Sequence, residues 1–199
     1  LTTVDGRRIK GERRRRAIVD ATLRIVERDG VAGVSHRNIA REAGVPAASI
    51  AYYFGSIDEL LVATLLESVE TLIGELNRLA DTVNGGDAHR PAAVARLLAD
   101  MVREHRGRTI AEYELYLLAA RRPALRPAAR RWIEAASGYV DDGSGDPAVA
   151  NALFAAIDGM LLHALIADEP PGPEDFEPTL SCLMRPIRHL HRIDVPQGE

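Results

Sequence analysis

The chain has 199 residues, 46% of them hydrophobic, which is ample for a buried core in one domain or two small ones. Alanine is abundant, aromatics are few, and no alternating apolar/polar run is long enough for a strand. That excludes a sheet-based core and predicts an all-α fold. The net charge of −4 hides an asymmetry: residues 1–55 carry 11 basic and 6 acidic side chains, residues 56–199 carry 14 and 23. A basic N-terminal segment on an acidic body suits a protein that presents one end to phosphate.

Residues 1–11 lack periodicity and read as a flexible arm. Residues 12–29 form a helix with Ala17, Ile18, Ala21, Ile25 and Val26 on its apolar stripe, closed by Gly30. Residues 7–16 hold seven cations and one anion, and Arg14 and Arg15 stand in that run. Placed ahead of the motif that follows, the run suits an arm lying along phosphates or in a minor groove. Val31 and Val34 flank a turn at Gly33, and Ser35 is an N-cap for a helix starting at His36.

Residues 35–61 read SHRNIAREAGVPAASIAYYFGSIDELL. Ile39, Ala40 and Ala43 share one face of a short helix. Gly44 ends it, because the residue past a helix end often sits at positive φ. Pro46 suits the first position of the next helix, whose inner side holds Ile50 and Tyr53. A small residue, Ala40, lies four before the turn glycine and lets the helices approach. Two helices joined by this glycine turn make a helix-turn-helix, with the second placed to enter a major groove.

The run R-x-I-A-x-x-A-G-V, then S-I-A-Y-Y-F, then S-x-D-E-L-L resembles the DNA-binding domain of the tetracycline-repressor (TetR) family. Ile39, Ala40, Ala43, Gly44, Val45, Tyr52, Tyr53, Phe54, Ser56 and Leu60 stand on its motif positions. Two positions depart from the family pattern. Pro46 stands where a serine or threonine usually opens the recognition helix, and Ile57 stands where a phosphate-binding lysine usually precedes the acidic pair.

Double-stranded DNA needs groups for phosphates and groups for base edges. Ala47, Ala48 and Ser49 open the recognition helix; an alanine methyl can meet a thymine methyl but reads nothing by hydrogen bonding. Arg37 can reach a guanine edge or a phosphate, and Ser35 and His36 sit at a helix N-terminus, which attracts anions. Tyr52 and Tyr53 offer hydroxyls to phosphate, with core packing the alternative for both and the stronger one for Tyr53. Phe54 reads as core.

Ser56 and Glu59 form a capping box opening a connector helix from Ile57 to about Val83, which residues 84–87 break. Further helices follow over about 91–104, 109–120, a stretch through Trp132 and Tyr139, 147–167 and 173–192, with a polar loop at 141–146. The expected domains are 1–55, the DNA-binding head, and 56–199, a helical effector-binding and dimerisation body. Residues 148–167 have nearly the length of a membrane span, but Asn151, Asp158 and His163 interrupt them, so no membrane is expected. Cys182 is the only cysteine, excludes an intrachain disulfide, has apolar neighbours that suggest burial, and fits a reducing cytosol. No apolar stretch follows the basic N-terminus as in a secretory leader, and the cytoplasm is the expected location.

The resemblance implies a pocket for a small-molecule effector among the central helices. Met101, His105, Tyr113, Tyr116, Leu117, Trp132 and Met160 are candidate lining residues, because most combine polar tips with apolar bodies. It also implies a homodimer through the last two helices, with Ala155 and Gly159 allowing close approach and Leu162, Leu180, Leu183, Met184 and Ile187 supplying bulk. No nucleophile–base grouping, phosphate loop, cofactor motif or metal spacing is visible, so neither an enzyme nor a metal protein is expected. The expected function is a sequence-specific regulator, a repressor released from a palindromic operator by its effector. A helical carrier would bind ligand and no DNA; a nonspecific binder would keep its affinity on scrambled DNA.

Overall fold

The computed structural model describes residues 2–82, 90–139 and 146–184, and those residues form helices and short turns with no strand among them. The order is α1 (Thr2–Asp29), a 3₁₀ turn (Val31–Gly33), α2 (His36–Ala43), α3 (Ala47–Tyr53) and α4 (Ile57–Thr82). There follow α5 (Arg90–Arg103), α6 (Arg106–Leu118), a 3₁₀ turn (Pro123–Leu125), α7 (Arg126–Tyr139), α8 (Pro147–Leu165) and α9 (Pro173–Leu183). The expected helix break at 84–87, most of the loop at 141–146, Ile187 and the chain beyond it lie outside the described residues.

The segment expected as a flexible arm is instead the first part of α1, continuous from Thr2. Arginine, lysine and isoleucine are good or adequate helix formers, so a solvated basic stretch extends a helix that the core already holds. From residue 18 onward that helix is anchored: Ile18, Val19, Ala21, Ile25 and Val26 are buried. Gly30 ends it at φ 70, the left-handed region.

Three apolar clusters form the interior. The head has its own, built from Ile18, Val19 and Ile25 of α1, Ile39 and Ala40 of α2, Ile50 of α3, Phe54, and Leu60 from the first turn of α4. A second gathers α4, α6 and α7 around Leu61, Leu65, Val69, Leu115 and Trp132. A third joins α5, α8 and α9 around Leu98, Val102, Leu161, Phe176 and Leu180. Ile57 packs against both the first and the second. The connector helix is therefore bonded by packing to the head at one end and to the body along its length.

Leu180 is fully buried within the subunit. It serves the α5–α9 packing and leaves nothing to offer a partner, contrary to its expected place on a dimer face. Cys182 is exposed rather than buried, on the side of α9 that no other described helix covers. α8 has the length and hydropathy of a membrane span, with a mean of 1.6. Its buried side carries Leu153, Ile157 and Leu161 into the α5 core, and Asp158 bonds to α6. Only 28% of that apolar window is buried inside the chain.

Candidate nucleic-acid interface and effector cavity

The head is organised by caps and turns that the sequence supplies locally. The Ser35 hydroxyl accepts from the Asn38 N–H at 3.2 Å, which fixes the start of α2. Gly44 sits at φ 64 and closes α2 in the left-handed region, with no strain for a residue lacking Cβ. Pro46 is the residue before α3 rather than its first turn; it has no side-chain acceptor, so α3 lacks a capping bond. Ser56 accepts from the Glu59 N–H at 3.1 Å, while Glu59 reaches back to the Gly55 N–H at 2.8 Å, one residue earlier than a standard box.

This geometry leaves His36 and Arg37 at the start of α2, and Ala47 and Ala48 at the start of α3, exposed. Ser35 and Ser49 are half-buried. Tyr52 is 82% exposed and stacks edge-on against Tyr53 at 5.0 Å. Tyr53 lies against α1, its hydroxyl beside Gly11. Arg14 and Arg15 are exposed, and the Arg15 guanidinium lies 5.1 Å over the Phe54 ring. Phe54 itself is core.

The Arg24 and Arg28 guanidiniums bond Glu42 at 2.9 and 3.2 Å and hold its carboxyl below the usual carboxylate range. These exposed pairs brace α1 against α2 and contribute little to stability.

Polar contacts among the described residues tie the head and the first turn of α4 to the body helices. The Glu114 carboxylate of α6 accepts from the Val31 N–H at 2.7 Å, within the turn that leads into α2. Arg122 pairs with Asp58 at 2.6 Å, and Arg16 with Glu67 at 3.2 Å.

Within the body, a cavity of about 60 Å³ lies among α4, α5, α6, α7 and α8. Leu72, Leu98, Trp132, Phe154 and Leu161 make it apolar. Its polar groups are Asp158 of α8 and Tyr113 of α6, and the Tyr113 O–H donates to an Asp158 oxygen. Burial raises the Asp158 carboxyl above its ordinary range, opposed by the tyrosine bond. Burial, reinforced by that carboxylate, likewise raises the Tyr113 hydroxyl.

Of the expected lining residues, Met101, Tyr113 and Trp132 are brought together here. His105 faces a neighbouring polar cavity that Met101 also borders. Tyr116 and the exposed Leu117 line a shallow depression against α7 instead. Met160 packs on the α5–α9 core and borders neither cavity. Asp158 was not among the candidates. Its signal was present as an acidic residue inside an apolar helix, the kind of buried polar group that asks for a reason.

Residues 18–64 match the family of bacterial regulatory proteins, tetR family, and residues 89–186 match the tetracyclin repressor-like C-terminal domain. The multidrug binding protein EbrR, solved with imidazole, is 38% identical with a TM-score of 0.73, over 85% of this chain and 94% of EbrR. EbrR has also been solved with ethidium, malachite green and proflavin. SCO7518 of Streptomyces coelicolor A3(2) is 30% identical with a TM-score of 0.76, over 86% of this chain and 98% of that one. The HTH-type transcriptional regulator BetI of Brucella suis biovar 1 (strain 1330) is 30% identical over 79% of this chain and 83% of BetI. With a helix-turn-helix head on a helical, cavity-bearing body, this chain belongs to the TetR family of DNA-binding transcriptional regulators.

Proposed function

We propose that this regulator is a cytoplasmic, homodimeric repressor that binds a palindromic operator and is released by a lipophilic organic cation. The observation that carries the reading is Asp158: one carboxyl group, held by Tyr113, in a cavity otherwise walled by aliphatic and aromatic side chains. Such a lining suits a cation whose charge is spread over rings, through one ionic contact and the faces of Trp132 and Phe154. The dyes bound to EbrR support the same class of ligand.

Coupling follows from size and packing. A drug-sized ligand needs about 300 Å³ or more, far beyond the present cavity, so an occupant must part α4 from α5–α8. Because α4 also packs into the head through Ile57 and Leu60, that movement reorients the reading helix. The ligand acts only through its unequal affinity for the two arrangements.

Operator contact is assigned to Arg37, Ala47, Ala48, Ser49 and Tyr52, with Ser35, His36, Tyr53, Arg14 and Arg15 toward phosphates. Dimerisation is assigned to the uncovered apolar side of α8 and α9, where Ala155, Leu162 and Leu183 are exposed and Gly159 and Met184 half-buried. Two heads on one two-fold axis read two half-sites.

The test is fluorescence anisotropy on a selected operator duplex, titrated with tetraphenylphosphonium, which is not planar and does not intercalate. Release is expected, with Asp158→Asn needing about tenfold more cation. Equal release by neutral triphenylphosphine oxide, or an Asp158→Asn response identical to wild type, would overturn the reading.

A further inference from the structure

Beside the apolar cavity lies a larger one of about 170 Å³, walled by α4, α5 and α6. Leu72, Leu97 and Met101 line both and form the partition between them. The remaining walls are polar. Ser68, Thr71 and Glu75 fall on one face of α4 at helical spacing, opposite Arg108 and Glu112 of α6. Asp100 and His105, an exposed pair 3.6 Å apart, stand at the mouth.

Two observations set this cavity apart from a solvated crevice. Ser68 is 1% exposed, and among the described residues its hydroxyl oxygen is the buried side-chain polar atom that no well-formed hydrogen bond satisfies, although it lies close to the Glu112 carboxyl. An orphaned buried hydroxyl is costly and rare enough to require a reason. Glu112 is also buried, bonded to Arg108 at 2.9 Å. Burial pushes its carboxyl up, while Arg108 and the nearby Ser68 hydroxyl pull it down and Glu75 adds to the rise.

Acceptors exceed donors throughout. Three carboxylates, Glu75, Asp100 and Glu112, face one guanidinium, and Glu75 has no cation partner among the described residues. The Thr71 and Thr109 hydroxyls donate to the Glu67 and Met101 carbonyls, so only their acceptor lone pairs are left. What is missing is a positively charged group with several N–H donors, and a primary ammonium brings three.

We propose that this cavity is a second ligand site, separate from the Asp158 cavity, that takes the primary ammonium group of a small aliphatic amine, with the Ser68 hydroxyl, Glu75 and Glu112 as its acceptors. The two cavities then differ in chemistry. The Asp158 cavity offers one carboxyl among apolar walls and suits a cation without donors. The Ser68 cavity rewards donors and rejects a quaternary ammonium of the same charge.

The test uses the full-length protein at fixed ionic strength, with n-butylammonium, tetramethylammonium and 1-butanol compared by calorimetric titration and thermal melting. Saturable n-butylammonium binding with a raised Tm is expected, and at least tenfold weaker binding of the other two. Glu75→Gln should weaken the amine about tenfold, and Asp158→Asn should leave it unchanged. Ser68→Ala should raise the Tm without amine, because it removes the orphaned hydroxyl, and yet shrink the amine-induced shift. Either of the two α4 variants decides the matter if the other fails to fold. Absence of saturable n-butylammonium binding to the folded protein would overturn the site, as would equal binding of tetramethylammonium. Loss of amine binding in Asp158→Asn with retention in Glu75→Gln would overturn it too, by placing the amine in the apolar cavity.

Discussion

The head and the body are both helical and both close around aliphatic cores, yet they store their chemistry differently. In the head, the groups proposed to meet DNA lie mainly between Ser35 and Tyr53, and neighbours in the chain place them: Ser35 caps its own helix, and Gly44 turns the chain. In the body, the pairs that tie one helix to another are far apart in sequence. Tyr113 meets Asp158 from 45 residues away, and Arg106 bonds the Leu165 carbonyl at 2.7 Å from 59 away. The head is a local device, set by the cap of α2, the Gly44 turn and its own apolar core. The body is a tertiary device whose cavities exist only once α4 to α8 have packed, and its polar groups are not all satisfied. A regulator needs that contrast: a reading surface that keeps its shape, on a body whose packing a ligand can alter.

The sharpest way to break this comparison is to damage one region and watch the other. Ile50→Ala empties the centre of the head core and should cost about 3 kcal/mol, read by chemical denaturation. Operator binding should vanish while tetraphenylphosphonium binding survives. Loss of both together would mean that head and body do not hold separate functions.

Asp158→Asn is the reciprocal probe. Removing a buried charge partner should weaken the cation about tenfold, or about 1.4 kcal/mol, with operator affinity unchanged in its absence. The pH dependence has a definite sign. Only the ionised carboxyl attracts a cation, and burial holds the Asp158 pKa above its ordinary value. Cation affinity should therefore fall on acidification, beginning at a higher pH than an exposed aspartate would give. Titrations across that range in wild type and Asp158→Asn check this, since the variant should show no such fall.

Glu114→Ala tests the junction. It strips the Val31 N–H of its acceptor, at a cost of about 1–2 kcal/mol, and it touches neither cavity nor any group assigned to DNA. The ratio of operator affinities with and without cation should shrink, while each ligand alone binds nearly as before. An unchanged ratio would remove α6 from the coupling.

Ile57→Lys is the mildest probe. Ile57 is half-buried between two cores, so a lysine there must run its stem along them and carry its ammonium outward. One added phosphate contact should steepen the salt dependence of operator binding by about 0.9 in log–log slope. Unchanged affinity and slope would place residue 57 away from the DNA phosphates.

Much of the fold was legible because its signals are local. The caps at Ser35 and Ser56, the turn at Gly44, the apolar faces of α1 and α2, and the long α4 all follow from residues a few positions apart. The errors also have physical reasons. The basic stretch before residue 12 has no apolar stripe, yet charged residues extend a helix that is already nucleated. Pro46 fits either side of a helix start, and its place before α3 depends on the turn rather than on its own φ. Leu180 and Cys182 are two positions apart on one helix, and which of them faces α5 depends on packing that the chain pattern leaves open. The cavity was half legible. Met101, Tyr113 and Trp132 stand out by residue type, whereas in the sequence Asp158 reads only as an obstacle to a membrane span. Its meaning depends on Tyr113 arriving from another helix.

The most direct test is selection of bound duplexes from random DNA by the full-length protein at near-physiological salt, with and without tetraphenylphosphonium. The account predicts a palindrome with half-sites about one helical turn apart, depleted when the cation is present. Recovery of no motif, or of the same palindrome in equal yield with the cation, would contradict it.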